Sequence, residues 1–477
     1  MTVEPQAPDA ASAPETPTTA AAPATEAPPT EAPPTEAPTT RSAGPRDVWY
    51  FGPVVIVLAL AVGFEVRRNL FPAQGLRGDL DQFVGWVHHI AVDGLGGLYS
   101  GTDAGPVTFG PVMAYVWAIL AAIQPAFATV TNAADELIRV TMKMPASLAD
   151  LALAVIAAYA LRRHRKWAAL AAVAILFHPA VIDVSAWWGQ YESIFVVSAL
   201  AALVLAINGH NGPAAAFLAA SLMTKPQAVP FLVPFAAWFW ATGTRRPGAT
   251  GGPAGPRGGV RELVRTGLIG LATSAVLWLP FIAADGPRNY LANLAYYQNE
   301  VFKILSLNAW NAWWLLQEIA VGGGRFIVDD QPVIGPFTLR HLGYLVTGLL
   351  SLVIGWAIIR DPRPRTLVLG LTASVLVFFS FMTQMHERYA YAAVIFLVLL
   401  LPETKLRWTW IALSIAYTLN LMAAVPPTPE FRSILQVSGP LGIAGSITVL
   451  AVTVITLDAL HRSASAPEDP LEAASPG

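Results

Sequence analysis

The chain has 477 residues, of which 55% are hydrophobic and only 13% are charged; 29 Lys and Arg stand against 31 Asp and Glu, for a formal net charge of −2, and cysteine is absent. Soluble domains average about 25% charged residues, so this composition excludes an ordinary soluble enzyme, a disulfide scaffold and a thiol-held metal site. No basic excess points to nucleic acid as a partner, and the mean hydropathy of +0.52 leads to the expectation of an all-α polytopic membrane protein, with the lipid bilayer as its surroundings.

Residues 1–46 depart from that class. They form a Pro/Ala/Thr-rich tract with a repeated TEAPP element and hold 11 of the 39 prolines. A segment without an apolar period cannot offset its ordering entropy, so a disordered cytoplasmic tail is expected. A secretory signal would need a basic start, an apolar core and a small-residue cleavage site, and none is present here.

Thirteen apolar runs follow, at 48–66, 107–124, 144–161, 167–182, 193–208, 214–224, 228–242, 264–283, 339–359, 366–382, 390–401, 408–425 and 438–459. Each is expected to be helical, because a bilayer offers no partner to a free backbone amide. About 12–14 transmembrane helices are predicted within a membrane domain 47–462, followed by a second disordered cytoplasmic tail, 463–477. Several runs fall short of the roughly 20 residues of a full span.

Basic clusters set the orientation. Arg162/Arg163/Arg165/Lys166, Arg245/Arg246/Arg257/Arg261/Arg265, Arg360/Arg363/Arg365 and Lys405/Arg407 are all placed in the cytoplasm. The loop 67–106, the segment 284–338 and the short stretches 187–192 and 385–389 then fall outside. Thirteen runs cannot join two cytoplasmic ends, so either 125–143 hides a crossing or one run is not a span.

Polar residues at membrane depth or just beyond it are expensive and suggest function. Asp79, Gln82, Phe83 and Trp86 share one face of a helix, with Asp79 a candidate general base or else a helix N-cap or solvated loop acid. Asp79-x-Asp81 also has the form of a weak metal-binding pair, against a solvated pair. Trp187-Trp188-Gly189-Gln190-Tyr191-Glu192 reads either as an interfacial aromatic belt or as a sugar site, in which rings cover a C–H face and amide and carboxylate groups bind hydroxyls. Thr224-Lys225-Pro226-Gln227 interrupts an apolar stretch, and a cation there suits a phosphate, or snorkels from a short external turn. His386-Glu387-Arg388 puts three ionisable groups between two apolar runs; Arg binds phosphate with two parallel hydrogen bonds, and His adds a further contact. Asp150 reads as a buried structural partner, and Asn308–Trp314 as an interfacial helix or an acceptor groove.

In order and in type, these motifs resemble the GT-C superfamily of polytopic glycosyltransferases that use a polyprenyl-phosphate-linked sugar. Gly78-Asp79-Leu80-Asp81-Gln82 with Trp86 is similar to the first-loop pattern GDYEAQRHW of the glucosyltransferases that extend the N-glycan precursor. Phe109-Gly110-Pro111-Val112-Met113-Ala114-Tyr115 resembles their YPPLTAY, Trp188-Gly189-Gln190-Tyr191-Glu192 their HFQYN, Lys225-Pro226-Gln227 a Lys-Gln element, and His386-Glu387-Arg388-Tyr389 their HEKS. The spellings WGQYES and MHERY look closer to prokaryotic mannosyltransferases related to the second mannosyltransferase of GPI-anchor assembly. Gly110 and Phe109 replace a Pro and a Tyr of the pattern, and Trp188 replaces its first His, so a role for that His does not carry over.

The resemblance implies a GT-C fold with a helical first external loop and Asp79 as catalytic base, while Lys225, His386 and Arg388 would hold the donor phosphate. Asp81, Trp86, Trp188, Gln190, Tyr191, Glu192, Gln227 and Glu387 are candidates for sugar or acceptor contacts. The expected reaction moves a hexose, mannose favoured over glucose, from a polyprenyl-phosphate donor to a lipid-linked or cell-envelope glycan, with inversion, and without a metal or other cofactor. The expected location is the cell membrane, with the site on its extracytoplasmic side. A transporter or lipid flippase is the competing reading, but only one interrupted stretch is visible where paired repeats are usual. A non-catalytic scaffold is a third.

Overall fold

The computed structural model describes residues 51–245, 252–463 and 471. The 1–46 tail, Arg246 and nearly all of 463–477 lie outside the described residues. What is described is helical apart from two minimal two-stranded pairings. Five helices are long and apolar enough to cross a membrane: Glu136–Ala160, Gly255–Ala284, Leu339–Arg360, Pro364–Phe381 and Pro440–His461. A sixth is possible if the bent pair Arg165–Leu176 and Pro179–Trp188 acts as one span. The chain is therefore an all-α polytopic membrane protein.

The basic clusters gather at one end of the body. Arg245 reaches the carbonyl of Arg360, Arg407 lies over the Trp167 ring, and Lys405 pairs with Asp458. The polar motifs collect at the other end. Between the two, the described chain runs back and forth through its helices, several of them shorter than a full span. Phe51–Leu70 ends where Arg67 is fully buried against Asp150 at 2.8 Å. Ser185 and Tyr391 donate to the same carboxylate, so one buried acid ties four segments together, as its sequence position suggested.

The run 107–124 does not form a helix of span length. Its helix, Pro111–Ile123, has 13 residues and so spans only about 20 Å at 1.5 Å per residue. Thr108 and Phe109 stand at the polar end beside Asp79. After the helix the chain returns, and the Ala133 amide donates to Asp81 at 2.7 Å. The helix instead packs along Arg77–Asp93, burying Phe83, Trp86, Phe109 and Trp117 in one aromatic cluster.

Gly110 makes this packing possible. Its amide donates to the Thr224 carbonyl and Val112 to that of Met223, and a Cβ at Gly110 would stand 2.1 Å from the Met223 oxygen. The glycine that departs from the resembling pattern is thus required by a backbone approach. Gly110→Ala is expected to destabilise the protein by about 1–3 kcal/mol through overpacking, read as a lowered thermal midpoint in detergent, with Gly78→Ala, where a Cβ meets nothing within 4 Å, as the near-neutral control.

Candidate active site

Asp79 sits in the first turn of Arg77–Asp93. Its Oδ2 accepts from Gln190 Nε2 at 2.5 Å and from Trp188 Nε1 at 3.2 Å. Both donors come from one local feature. Asp183–Trp188 is a π-helical turn, closed by Gly189 in the left-handed region at φ 92°. A π-turn adds a residue and redirects the side chains that follow, which is why such turns collect at functional sites. A side chain at Gly189 would also crowd Leu80 and Lys143 at 3.1 and 3.2 Å. Two N–H groups thus pin one oxygen of Asp79, while Oδ1 takes no hydrogen bond from the described residues.

Opposite Asp79 lies a buried group of charges. Lys225 Nζ contacts Glu192 Oε1 at 2.6 Å, and Arg388 Nε approaches the same oxygen at 3.2 Å. Arg388 Nη1 reaches Glu387 Oε1 at 2.9 Å and His386 Nδ1 at 3.2 Å. The guanidinium also lies over the Trp188 ring at 5.0 Å, and the ammonium over Phe109 at 4.9 Å. Two cations and two carboxylates make the quartet neutral in sum, as burial of charge demands. Arg388 Nη2 and two protons of Lys225 remain beyond these contacts. Burial, and then the Arg388 and Lys225 charges, hold the His386 pKa well below the ordinary imidazole value. Because a guanidinium only donates, Nδ1 of the neutral ring is the acceptor and Nε2 carries the hydrogen.

Two cavities meet at this point. The larger, about 860 Å³, runs from Asp79, Trp188, Glu387 and Arg388 to the stretch 424–429 and Arg432. The smaller, about 240 Å³, is lined by Trp86, Gln190, Lys225 and Gln227 among others. Asp79, His386, Arg388 and Phe302 line both.

Of the twelve residues expected at the catalytic, phosphate and sugar positions, nine line one or both cavities: Asp79, Trp86, Trp188, Gln190, Lys225, Gln227, His386, Glu387 and Arg388. The other three are not among the lining residues. Asp81 is taken by Arg77 and by the Ala133 amide. Tyr191 is fully buried, and its hydroxyl donates to the Met142 carbonyl. Glu192 is buried beneath Lys225 and Arg388, which it orients. Successive residues after the π-turn point to different sides, so nearness in sequence to Gln190 did not bring them into the cavities.

Other lining residues carried no signal in the sequence. Leu294, Tyr297, Gln298 and Phe302 come from the long segment 284–338, and Gln384 precedes the MHERY motif. The segment is stitched to that motif by the parallel pairing of Ser306–Leu307 with Met385–His386. A buried clasp adds to it: Asp329 holds Arg340 through two bonds, at 2.9 and 2.8 Å, and accepts from Thr383 and Gln384.

A body of helices with a polar site at one end, where two cavities share a pinned carboxylate and one buried guanidinium, is the frame of a multi-pass membrane protein. The model of the ALG6, ALG8 glycosyltransferase family matches residues 109–424, more than half of the chain, and the protein belongs to that family, within the GT-C superfamily. It is a membrane glycosyltransferase that uses a lipid-linked sugar donor. The matched stretch begins beyond Asp79, so the place of that residue rests on the geometry described above. No curated protein matches the chain.

Burying Lys225 and Arg388 against Glu192 makes the quartet sensitive to loss of one member. Lys225→Met is expected to cost about 3–5 kcal/mol by leaving buried carboxylate charge uncompensated. Adding Glu192→Gln is expected to recover part of the lost thermal midpoint; a purely additive loss in the double variant would contradict the coupling.

Proposed function

We propose that the protein transfers a hexose, mannose in preference to glucose, from a polyprenyl-phosphate donor to a hydroxyl of a lipid-linked or cell-envelope glycan. The reaction is placed on the extracytoplasmic side of the cell membrane, opposite the basic end of the body. The observation that carries this reading is the position of Asp79: one oxygen is pinned by Trp188 and Gln190, the other takes no hydrogen bond from the described residues, and the group lines both cavities.

In this reading the donor occupies the smaller cavity, because Lys225, His386 and Arg388 all line it, and the acceptor enters through the larger one. Asp79 accepts the proton of the acceptor hydroxyl as its oxygen attacks the anomeric carbon. The bond to the lipid phosphate breaks on the far side of the ring, and Lys225, Arg388 and the His386 N–H stabilise the charge that develops there. A phosphate is already a good leaving group, so the step needs no general acid. A single displacement inverts the anomeric centre, turning a β-linked donor into an α-linked product. Mannose is preferred on the WGQYES and MHERY spellings.

Asp79→Asn keeps an acceptor for Trp188 and Gln190 but removes the base. Transfer from polyprenyl-phosphate-mannose is expected to fall by about 10²–10⁴-fold with little change in thermal midpoint. Wild-type rates in the variant would remove Asp79 from the chemistry, and faster transfer from the glucose donor would exchange the sugar.

Because His386 is neutral, it acts on the phosphate through its N–H. A ring whose pKa is held down becomes cationic only at acidity well beyond the ordinary histidine range. The apparent donor KM is therefore expected to stay flat as pH falls from 8 to 6. A donor affinity that tightens through that window, and no longer does so in His386→Gln, would show that the ring titrates there.

A further inference from the structure

The smaller cavity is lined by an unusual number of one residue type: Gln82, Gln190, Gln227, Gln298 and Gln384. A glutamine amide offers two N–H donors and one carbonyl acceptor, and which end is free depends on what the other end holds. For three of these residues the partners settle the orientation. Gln82 Nε2 donates to the Ala104 carbonyl at 3.0 Å and to the Tyr297 hydroxyl at 3.1 Å. Gln384 Nε2 donates to the Gln298 carbonyl at 2.9 Å and to Asp329 Oδ2 at 2.8 Å. Gln190 Nε2 donates to Asp79. A carbonyl or carboxylate oxygen accepts only, so the NH2 group must face it in each case.

Both protons of Gln82 and of Gln384 are thus committed to the protein, and what each retains is its Oε1. The carbonyl oxygens of Gln190 and Gln227, by contrast, are closed to solvent and have no hydrogen-bond partner among the described residues. The Asp329 clasp fixes Gln384 further: it is a non-glycine residue at φ 65°, and its own amide donates to the Ile304 and Leu305 carbonyls. Such a conformation persists only where the surroundings over-determine it.

We infer that the Gln82 and Gln384 amide oxygens are hydrogen-bond acceptors that read the hydroxyl protons of the donor hexose, which makes these two the specificity-determining residues. The inference rests on placing the donor sugar in the smaller cavity. The pocket is then bipolar, with cations at the phosphate end and acceptors around the ring. At about 240 Å³ it falls below the range of roughly 300–1,000 Å³ common for drug-sized ligands, which suits one sugar ring rather than a glycan. A hydroxyl proton satisfies an amide oxygen; a fluorine of similar size donates nothing and leaves that oxygen buried and unpaired.

The test uses the full-length protein in nanodiscs with polyprenyl-phosphate-mannose and its 3-, 4- and 6-deoxy and deoxyfluoro analogues. At one or more positions the fluoro sugar is expected to lose roughly 10- to 100-fold in kcat/KM, as much as the deoxy sugar. In Gln82→Met or Gln384→Met the parent sugar weakens and that penalty collapses toward unity. Fluoro sugars that work as well as the parent at all three positions, or penalties unchanged in both variants, would overturn the inference. Failure of the wild type to transfer the parent sugar counts against the proposed function instead. Calorimetric binding of mannose 1-phosphate and its fluoro analogues then reads the same ranking without turnover, and equal binding of parent and analogues there overturns the inference.

Discussion

The structure turns on one buried interaction, the grip of Glu192 on Lys225 and Arg388. Each residue stands at a break in the helical body. Glu192 opens the helix Glu192–Ile207 directly after the π-turn, Lys225 follows the helix Asn211–Leu222, and Arg388 follows the two-residue pairing Met385–His386. Helices that stop inside a membrane body leave backbone groups without partners, a cost tolerated only where the break is covered by protein or lines a polar cavity. The charge quartet does both. It joins three interrupted traverses at one level, and it explains why so many apolar runs are shorter than a bilayer.

From that level the two halves of the site follow. On one side the π-turn delivers Trp188 and Gln190 to a single oxygen of Asp79. Its closing glycine lets the chain reverse against Leu80 and Lys143. On the other side, Glu387 and Glu192 hold the Arg388 guanidinium over the Trp188 ring, 5.0 Å from its centre. The same tryptophan therefore touches the proposed base through its N–H and the proposed phosphate cation through its ring face. A shift in the π-turn would move both at once, so the spacing between base and cation is set by one side chain as much as by the helices.

Much of this was legible in the sequence because charge is scarce. In a chain that is 13% charged, Asp79, Lys225 and Arg388 stand out where orientation does not call for them, and all three line the cavities. Asp150 was likewise legible as a structural acid, although its partner, Arg67, lies 83 residues away and could not be named. Glu192 pairs with cations here, and in sequence a buried acid beside a sugar motif reads the same whether it binds hydroxyls or cations. Local spacing does not show how a π-turn or a helix N-terminus rotates successive side chains, so it could not place Asp81 and Tyr191 relative to the cavities. Gln82 and Gln384 carried little signal, since a neutral amide is unremarkable until its protons are seen to be committed. The run 107–124 looked like a span because hydropathy does not distinguish an aromatic helix packed on its neighbour from one that crosses.

The central claim is a single displacement, with Asp79 as base on one face of the sugar and the buried cations on the other. The anomeric configuration of the product tests it most directly. A β-linked polyprenyl-phosphate-mannose is incubated with the protein and an acceptor, and the new linkage is read from the one-bond carbon–hydrogen coupling at the anomeric carbon. The account predicts an α-linked product throughout. A β-linked product would mean that the sugar passes through a second displacement, for which this arrangement provides no role, and would contradict it.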